Sequence, residues 1–391
     1  MTYIKSFSVT GLAGRKGTVK RSINRDANIF WGFNGCGKTS LLKILHSALS
    51  NNPSILVRVP FKSASVTFYS TTYETDFTRK ITKSAILEAH HVGIHKKSEI
   101  AQLPVLESGD FGWETTTRKE DVPEGARGLR FQHTYLSINR INDSSKRLMY
   151  APRRELGPSA LDEETLDELF ASQIRQIWQN YNTNSLTEIR DVQEKGLALT
   201  LSSVLGGSEK LLKEGVPSMD SKQAYDLVRD FFADQRLRRH LKLGTYASFA
   251  KNYERDPLLR TVVSEISEVQ QEIEAALEPQ LKIQQLVREM YGGGKELTFN
   301  RGQLEIKSNG EEISIELLSG GEKQLLRLLL ECLASEESTL LVDEPELSLH
   351  VDWQHRLIEA MQVVNPRAQL IMATHSPDIM ADLPEDRIFP L

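Results

Sequence analysis

Polar and apolar residues alternate from Tyr3 to Val9, the period-two pattern of a half-buried strand. Ala27–Trp31 is a short apolar strand that runs straight into glycines. The period then becomes helical over Ser40–Leu49, with Leu41, Leu42, Ile44, Leu45 and Leu49 at helix spacing. Further strand-like runs fall around Ile55–Val59, Ser65–Tyr69 and Asp76–Thr82. Val92–Gly128 is polar and irregular and reads as a loop or insertion, after which Leu129–Ile138 and Arg147–Tyr150 look like strands returning to the sheet.

From about Asp162 to Met290 the pattern is helical. Leu161–Leu169 and Ile174–Tyr181 carry apolar residues three and four apart, and Leu258, Val262, Ile266, Val269 and Ile273 share one face of Pro257–Leu277. Pro279 is expected to interrupt or restart that helix. The repeat is too short for a long coiled coil. Past Gly292–Gly294, the runs Glu296–Phe299, Gln303–Lys307 and Ile313–Leu317 read as a small antiparallel set, with Asn309-Gly310 as a hairpin turn. The last block alternates helix Glu322–Cys332, strand Thr339–Val342, helix Val351–Val363 and strand Gln369–Ala373, which implies a parallel sheet. The expected class is α/β, organised as residues 1–155, a helical insertion over 156–294, and 295–391.

Composition narrows the class. A net charge of −5 argues against a globally basic nucleic-acid coat, though not against a local basic groove. Cys36 and Cys332 are the only cysteines, which suits a reducing cytoplasm rather than a disulfide framework. No apolar run approaches the roughly 20 residues of a membrane span, and the N-terminus has no signal-peptide core.

The chemistry lies in two distant segments. Gly32-Phe33-Asn34-Gly35-Cys36-Gly37-Lys38-Thr39 fits the phosphate-loop pattern, with a strand before it and a helix opening at Ser40 after it. Glycines let successive N–H groups face one anion, and the helix N-terminus adds partial positive charge. Lys38 would meet the β- and γ-phosphates, and the Thr39 hydroxyl would bind Mg²⁺. Thr339–Val342 is an apolar strand ending in Asp343 and Glu344: the first acid suits Mg²⁺, the second a general base for the attacking water. Leu318-Ser319-Gly320-Gly321-Glu322 is a second glycine turn opening a helix, offering free N–H groups and the Ser319 hydroxyl to phosphate. Two cradles for one ATP are reconciled if they belong to different copies of the chain.

These motifs carry a family resemblance. Leu318–Gln324 (LSGGEKQ) resembles the signature of ATP-binding-cassette ATPases, and with NGCGKT it resembles the SMC and recombination-repair branch. Asp343–His350 (DEPELSLH) looks like the corresponding run of the overcoming-lysogenisation-defect ATPases and their AAA-annotated defence relatives, and Ala373–Pro377 is similar to their switch-histidine segment. The resemblance implies an ATPase head, with a mixed N-terminal β lobe and a parallel core. It also implies a head-to-tail dimer or larger oligomer in which Ser319 of one protomer faces the γ-phosphate on the other's Lys38. His375 would sense the γ-phosphate and His350 would sit in the D-loop. It further implies slow ATP turnover that controls a separate nuclease or toxin in antiphage defence.

The departures are specific. No confident glutamine-loop equivalent is present; Gln132 is the candidate. The sixteen residues after His375 leave no room for a Toprim nuclease, so nuclease chemistry is expected from another polypeptide. His90, His91 and His95 lack the further ligands of a zinc site. Arg236, Arg238 and Arg239 form a basic helix face for DNA or an acidic partner, or a merely solvated one. Arg153 and Arg154 could reach nucleotide or an interface. Arg15 and Lys16 lie in a glycine-bearing loop from which similar ATPases approach the phosphates. An SMC-like DNA clamp, a transporter motor and a non-hydrolysing scaffold are the rival readings.

Overall fold

The computed structural model describes residues 2–86, 112–117, 122, 125, 128–137, 163–205, 219–234, 244–300 and 302–391. It divides into two compact units, 1–178 with 283–391, and 179–282. The class is α/β, and the first unit combines an antiparallel sheet with a parallel core, as expected of an ATP-binding-cassette ATPase head.

The antiparallel sheet has the order β2-β1-β4-β5-β6, from β1 (Thr2–Thr10), β2 (Thr18–Ser22), β4 (Ser63–Ser70), β5 (Thr75–Thr82) and β6 (Glu114–Thr117). In β1 the buried apolar residues are Ile4, Phe7 and Val9, and the register against β4 shifts between Ile4 and Ser6. That bulge absorbs one residue, so positions of opposite parity face the same core. The parallel sheet has the order β13-β3-β12-β11-β7, from β3 (Ala27–Trp31), β7 (His133–Leu136), β11 (Thr339–Asp343), β12 (Gln369–Thr374) and β13 (Ile388–Pro390). Helix α1 (Lys38–Ser50) buries Leu41, Leu42, Ile44, Leu45 and Leu49 in a core shared by both sheets, with Phe7, Phe30, Phe68 and Phe77.

Two buried polar side chains lock these layers. Gln369 uses its whole amide: Oε1 accepts from Ile4 N–H (2.8 Å) and the Thr339 hydroxyl (2.8 Å), while Nε2 donates to Ile4 O (2.8 Å) and Asn24 O (2.7 Å). Arg79 on β5 donates to Ala48 O and to Leu49 O (3.4 Å) at the end of α1, to Leu129 O (2.7 Å) and to the Thr115 hydroxyl (3.2 Å). Its guanidinium lies 5.5 Å from the Phe68 ring centre and 5.2 Å from that of Phe131, and burial pulls its pKa down to about 10. The cation thus satisfies carbonyls that a helix C-terminus leaves open.

The three-stranded sheet β10-β9-β8 comprises β8 (Lys295–Asn300), β9 (Gln303–Ser308) and β10 (Glu311–Ile313). The expected Asn309-Gly310 turn joins β9 to β10, with φ of 52° and 88°, the doubly left-handed turn that suits the strand twist. Helices α6 (Gly320–Ala334), α7 (Val351–Val364) and the short α8 (Pro377–Met380) complete this unit.

In the second unit lie parts of α2 (Glu163–Leu205) and α5 (Pro257–Met290), with α3 (Ser221–Asp234) and α4 (Tyr246–Arg255). Its core gathers Ala224, Val228, Phe249, Tyr253, Val263 and Ile266. Gly196 of α2 is so close to α5 that a Cβ there would lie 2.2 Å from Val269 Cγ2.

Several elements depart from the sequence expectation. Ile55–Val59 is not a strand: a 3₁₀ turn runs over Pro53–Leu56, capped by Asn52, and Lys83 Nζ donates to Leu56 O, Val57 O and Val59 O in place of a neighbouring strand. Of the expected run Ile313–Leu317 only Ile313 is in a strand, as the last residue of β10, and Ile315–Leu317 is a 3₁₀ turn. Helix α5 passes through Pro279 without a break. The carbonyl deprived of its donor belongs to Ala275, which is exposed, so water can replace that bond. Strands β2, β6 and β13 were not expected from the pattern, β6 lying within the Val92–Gly128 stretch read as a loop or insertion. Arg147–Tyr150 lies outside the described residues.

Replacing Gln369 with Leu removes the side-chain partners of the buried Ile4 N–H and C=O, while Asn24 O keeps Asn28 Nδ2 at 2.9 Å. At about 1–3 kcal/mol per unsatisfied group, Gln369→Leu is expected to lower the thermal unfolding midpoint by several degrees. A melt of the variant within one degree of the parent would contradict the clamp.

Candidate functional site

The parallel sheet collects the two distant sequence segments. β12 pairs with β3 up to Thr374↔Trp31 and with β11 up to Asp343↔Ala373. Three loops therefore leave neighbouring C-terminal strand ends: 32–37 after β3, 344–350 after β11, and 375–376 after β12. This is the edge at which open α/β sheets bind ligands.

The phosphate loop needs its glycines. Gly35 and Gly37 have φ of 82° and 105°, and a Cβ on Gly37 would come 3.0 Å from that of Ala13. Asn34 and Gly35 are exposed, while Cys36 is buried with its Sγ beneath Gly32. Lys38 opens α1, is 5 % exposed, and donates from Nζ to Gly32 O at 2.7 Å. The ammonium thus closes the mouth of its own loop. Ser40, in the same helical turn, lines a cavity of about 440 Å³ with Lys43, Arg58 and Pro60. Arg15 and Lys16 are exposed just beyond Leu12 and Ala13, the residues that press on Gly37.

The Thr39 hydroxyl donates to Asp343 Oδ1 at 3.1 Å, joining the two motifs across the sheet. Burial pushes the Asp343 carboxyl up to about 6; the Thr39 hydrogen bond opposes this, the Glu344 charge adds to it, and Lys43 and Lys38 oppose it. A buried carboxylate short of compensating charge, beside a hydroxyl oxygen, is a hard-donor set that fits Mg²⁺. Glu344 adopts a left-handed backbone, φ 48°, and its N–H donates to Ala373 O at 2.7 Å. That conformation costs about 1–2 kcal/mol for a non-glycine residue, and it turns the chain sharply where the second acid must leave the strand.

At the end of β12 the site contains a residue that the motif reading did not single out. Glu346 is buried, and its Oε1 accepts from the Thr374 hydroxyl (2.7 Å) and His375 N–H (2.9 Å) and lies 2.9 Å from His375 Nδ1. Ser376 Oγ donates to Gln354 Oε1 (2.7 Å), and Gln354 Nε2 donates to Leu349 O (2.9 Å). The available signal for Glu346 was its place in the Asp343–His350 run; Gln354 had none.

The signature turn is built as a helix cap. Ser319 Oγ accepts from Glu322 N–H (3.4 Å), and the Ser319 N–H and hydroxyl each lie 2.9 Å from Glu322 Oε2, a capping box. Lys295 Nζ reaches both Glu322 oxygens, at 2.8 and 2.9 Å. Against burial, which would raise it, Lys295 and Ser319 hold the Glu322 carboxyl below its ordinary range. Glu322 thus spends its carboxylate on the turn. Gly320 begins the helix, and Gly321 admits no side chain, since a Cβ would lie 2.6 Å from Ser348 O. His350 caps α7, accepting from Asp352 N–H at 3.3 Å, and is exposed. Among the described residues, no hydrogen bond or ion pair joins residues 318–322 to 32–39.

Gln132 is at the wrong end of the sheet for a phosphate contact. It precedes β7, whose His133 pairs with Thr339 at the start of β11, and its amide points to Glu336 Oε2 at 3.4 Å. His90, His91, His95, Arg153, Arg154, Arg236, Arg238 and Arg239 lie outside the described residues. No helix among the described residues is long and apolar enough to cross a membrane.

The raised Asp343 carboxyl has a stability consequence. Because its folded pKa lies above the unfolded value, its favourable contribution is complete below the unfolded pKa, near 3.8, and is lost as pH rises through about 6. Asp343→Asn retains an acceptor for Thr39 and removes the buried charge. It should therefore stabilise the nucleotide-free protein by about 3 kcal/mol at pH 8 and by about 1 kcal/mol at pH 4.5, read as paired thermal melts. Equal gains at both pH values would contradict the assignment.

Comparison with known proteins agrees with this chemistry. Residues 197–381 match the family described as "AAA domain, putative AbiEii toxin, Type IV TA system", a stretch that holds Ser319, Asp343, Glu344 and His375 but not the phosphate loop. Over 93 residues the chain is 33% identical to the "Retron Vc95 probable ATPase" of Vibrio cholerae serotype O1 biovar El Tor. That match covers 20% of this chain and 18% of the relative, so it spans less than a fifth of the relative's length. Among solved structures, the Smc head domain with an extended coiled coil bound to the C-terminal domain of ScpA, from Pyrococcus furiosus, is 13% identical with a TM-score of 0.44. It is covered over 92% of its length by 97% of this chain. The Smc head domain with a coiled coil and joint from Pyrococcus yayanosii is 14% identical with a TM-score of 0.42, at 93% and 97% coverage. The chain is thus similar, in its C-terminal half, to AAA-type ATPase domains.

Proposed function

We propose that this chain is an ATP-binding and ATP-hydrolysing switch whose protomers close on nucleotide, and that closure controls a separate nuclease or toxin in antiphage defence. The observation that carries the reading is the Thr39–Asp343 hydrogen bond, which brings the phosphate loop and the acidic strand end into one site. The retron name of the relative and the toxin–antitoxin wording of the family description support the defence setting.

The residues divide the work. Lys38 exchanges the Gly32 carbonyl for phosphate oxygens, so its charge moves from the loop to the ligand. The N-terminal N–H groups of α1 hold the same phosphates. Thr39 and Asp343 would hold Mg²⁺, which would neutralise negative charge on the phosphates. Glu344 takes the proton of the attacking water, and His375 donates to the γ-phosphate. Ser319, Gly320 and Gly321 present a second cradle with no bond to the first in the same chain. A second copy arranged head to tail would bring the two together, with His350 at the junction.

Lys38→Ala should weaken ATP binding about a hundredfold by calorimetry. Glu344→Gln should bind ATP normally, turn over roughly 10²–10⁴ times more slowly, and accumulate as an ATP-dependent dimer by light scattering. Unchanged ATP affinity in Lys38→Ala would overturn the nucleotide reading.

Ser319→Arg and Lys38→Ala proteins should each be inactive alone and partly active when mixed, because one intact composite site re-forms in the heterodimer. Verified heterodimers without any ATPase would exclude independently acting sites in trans.

A further inference from the structure

We propose that Glu346 is the positioning residue of His375: its buried carboxylate fixes the proton of the imidazole on Nδ1 and presents Nε2 outward to the nucleotide. This rests on the ATP reading above and adds to it a residue and a protonation state.

A carboxylate can only accept, so the 2.9 Å contact between His375 Nδ1 and Glu346 Oε1 places the proton on Nδ1. Nε2 makes no hydrogen bond among the described residues, and the His375 side chain is 46% exposed. A proton taken up by the ring goes to Nε2, the only nitrogen that can pass it to a phosphate oxygen, and Glu346 offsets the resulting charge. The same Oε1 accepts from the Thr374 hydroxyl and from His375 N–H, so one oxygen holds both the backbone and the ring. Gln354 secures the next residue through Ser376 Oγ and ties it to Leu349.

Glu346 Oε2 is buried with no hydrogen-bond partner, so the hold on the ring falls to Oε1 alone. Alanine removes that oxygen. Glutamine has the same length, and its amide oxygen can take the place of Oε1 against Thr374, His375 N–H and Nδ1. Glu346→Ala therefore removes the positioning, and Glu346→Gln restores it.

The test joins nitrogen-15 histidine NMR of the nucleotide-free protein, with His375 assigned by its loss in His375→Gln, to ATPase kinetics. The wild type should show His375 protonated at Nδ1, Glu346→Ala should lose that preference, and Glu346→Gln should keep it. In Glu346→Ala the turnover number should fall about 10–100-fold, as for other residues that orient a functional histidine, with ATP affinity within about threefold, and Glu346→Gln should recover most of the loss. In a His375→Gln background Glu346→Ala should cost no further turnover. A wild-type ring whose neutral form carries its proton on Nε2, or full turnover in folded Glu346→Ala, would refute the proposal; the first holds even if the variant fails to fold. A wild type that neither binds nor hydrolyses ATP would instead refute the nucleotide reading, and the NMR result would still report the hold of Glu346 on the ring.

Discussion

The site depends on the parallel placement of β12 between β3 and β11. Because all three strands run the same way, their C-terminal ends lie side by side, with Trp31 level with Thr374 and Ala373 with Asp343. Every group proposed to act on the γ-phosphate within one chain follows from that register. An antiparallel β12 would carry His375 to the far edge, where Gln132 and Glu336 meet. The register in turn requires the layers to stay fixed, and Gln369 fixes them at the opposite edge by joining β12 to β11 and β1 through one amide.

Buried polar groups behave differently in the scaffold and at the site. Arg79 and Gln369 are surrounded by partners, as groups must be when their role is to hold layers together. Asp343 is not fully compensated and its pKa is raised; Glu346 has one oxygen without a partner; Glu344 has a strained backbone. These unfavourable features cluster within four residues at the end of β11. Stability is given up there for electrostatic readiness, the pattern found where a fold serves chemistry.

The signature turn is different again. Glu322, Lys295 and Ser319 saturate one another, and Gly321 packs against the backbone of Ser348. The turn is rigid before any ligand arrives, and it is coupled to the 344–350 loop. Through Gln354 that loop is also coupled to the segment carrying His375.

The sequence alone determined most element types and where its motifs fall among them. Gly32–Thr39 marked the glycine-rich turn between β3 and α1, and alternation or helical spacing gave β1, β4, β5, α6, α7 and the Asn309-Gly310 turn, because these depend on local periodicity and backbone preference. Ile55–Val59 misled, since its apolar pattern is that of a strand while its carbonyls are taken by Lys83 from a distant position. β2 and β13 are too polar or too short to show a period. Only the tertiary structure decided that Glu346 grips His375, that Gln132 lies at the wrong end of the sheet, and that Asp343 is buried beside Thr39. Each of these is a contact between residues remote in the chain or in strand order, and one-dimensional spacing contains no term for it.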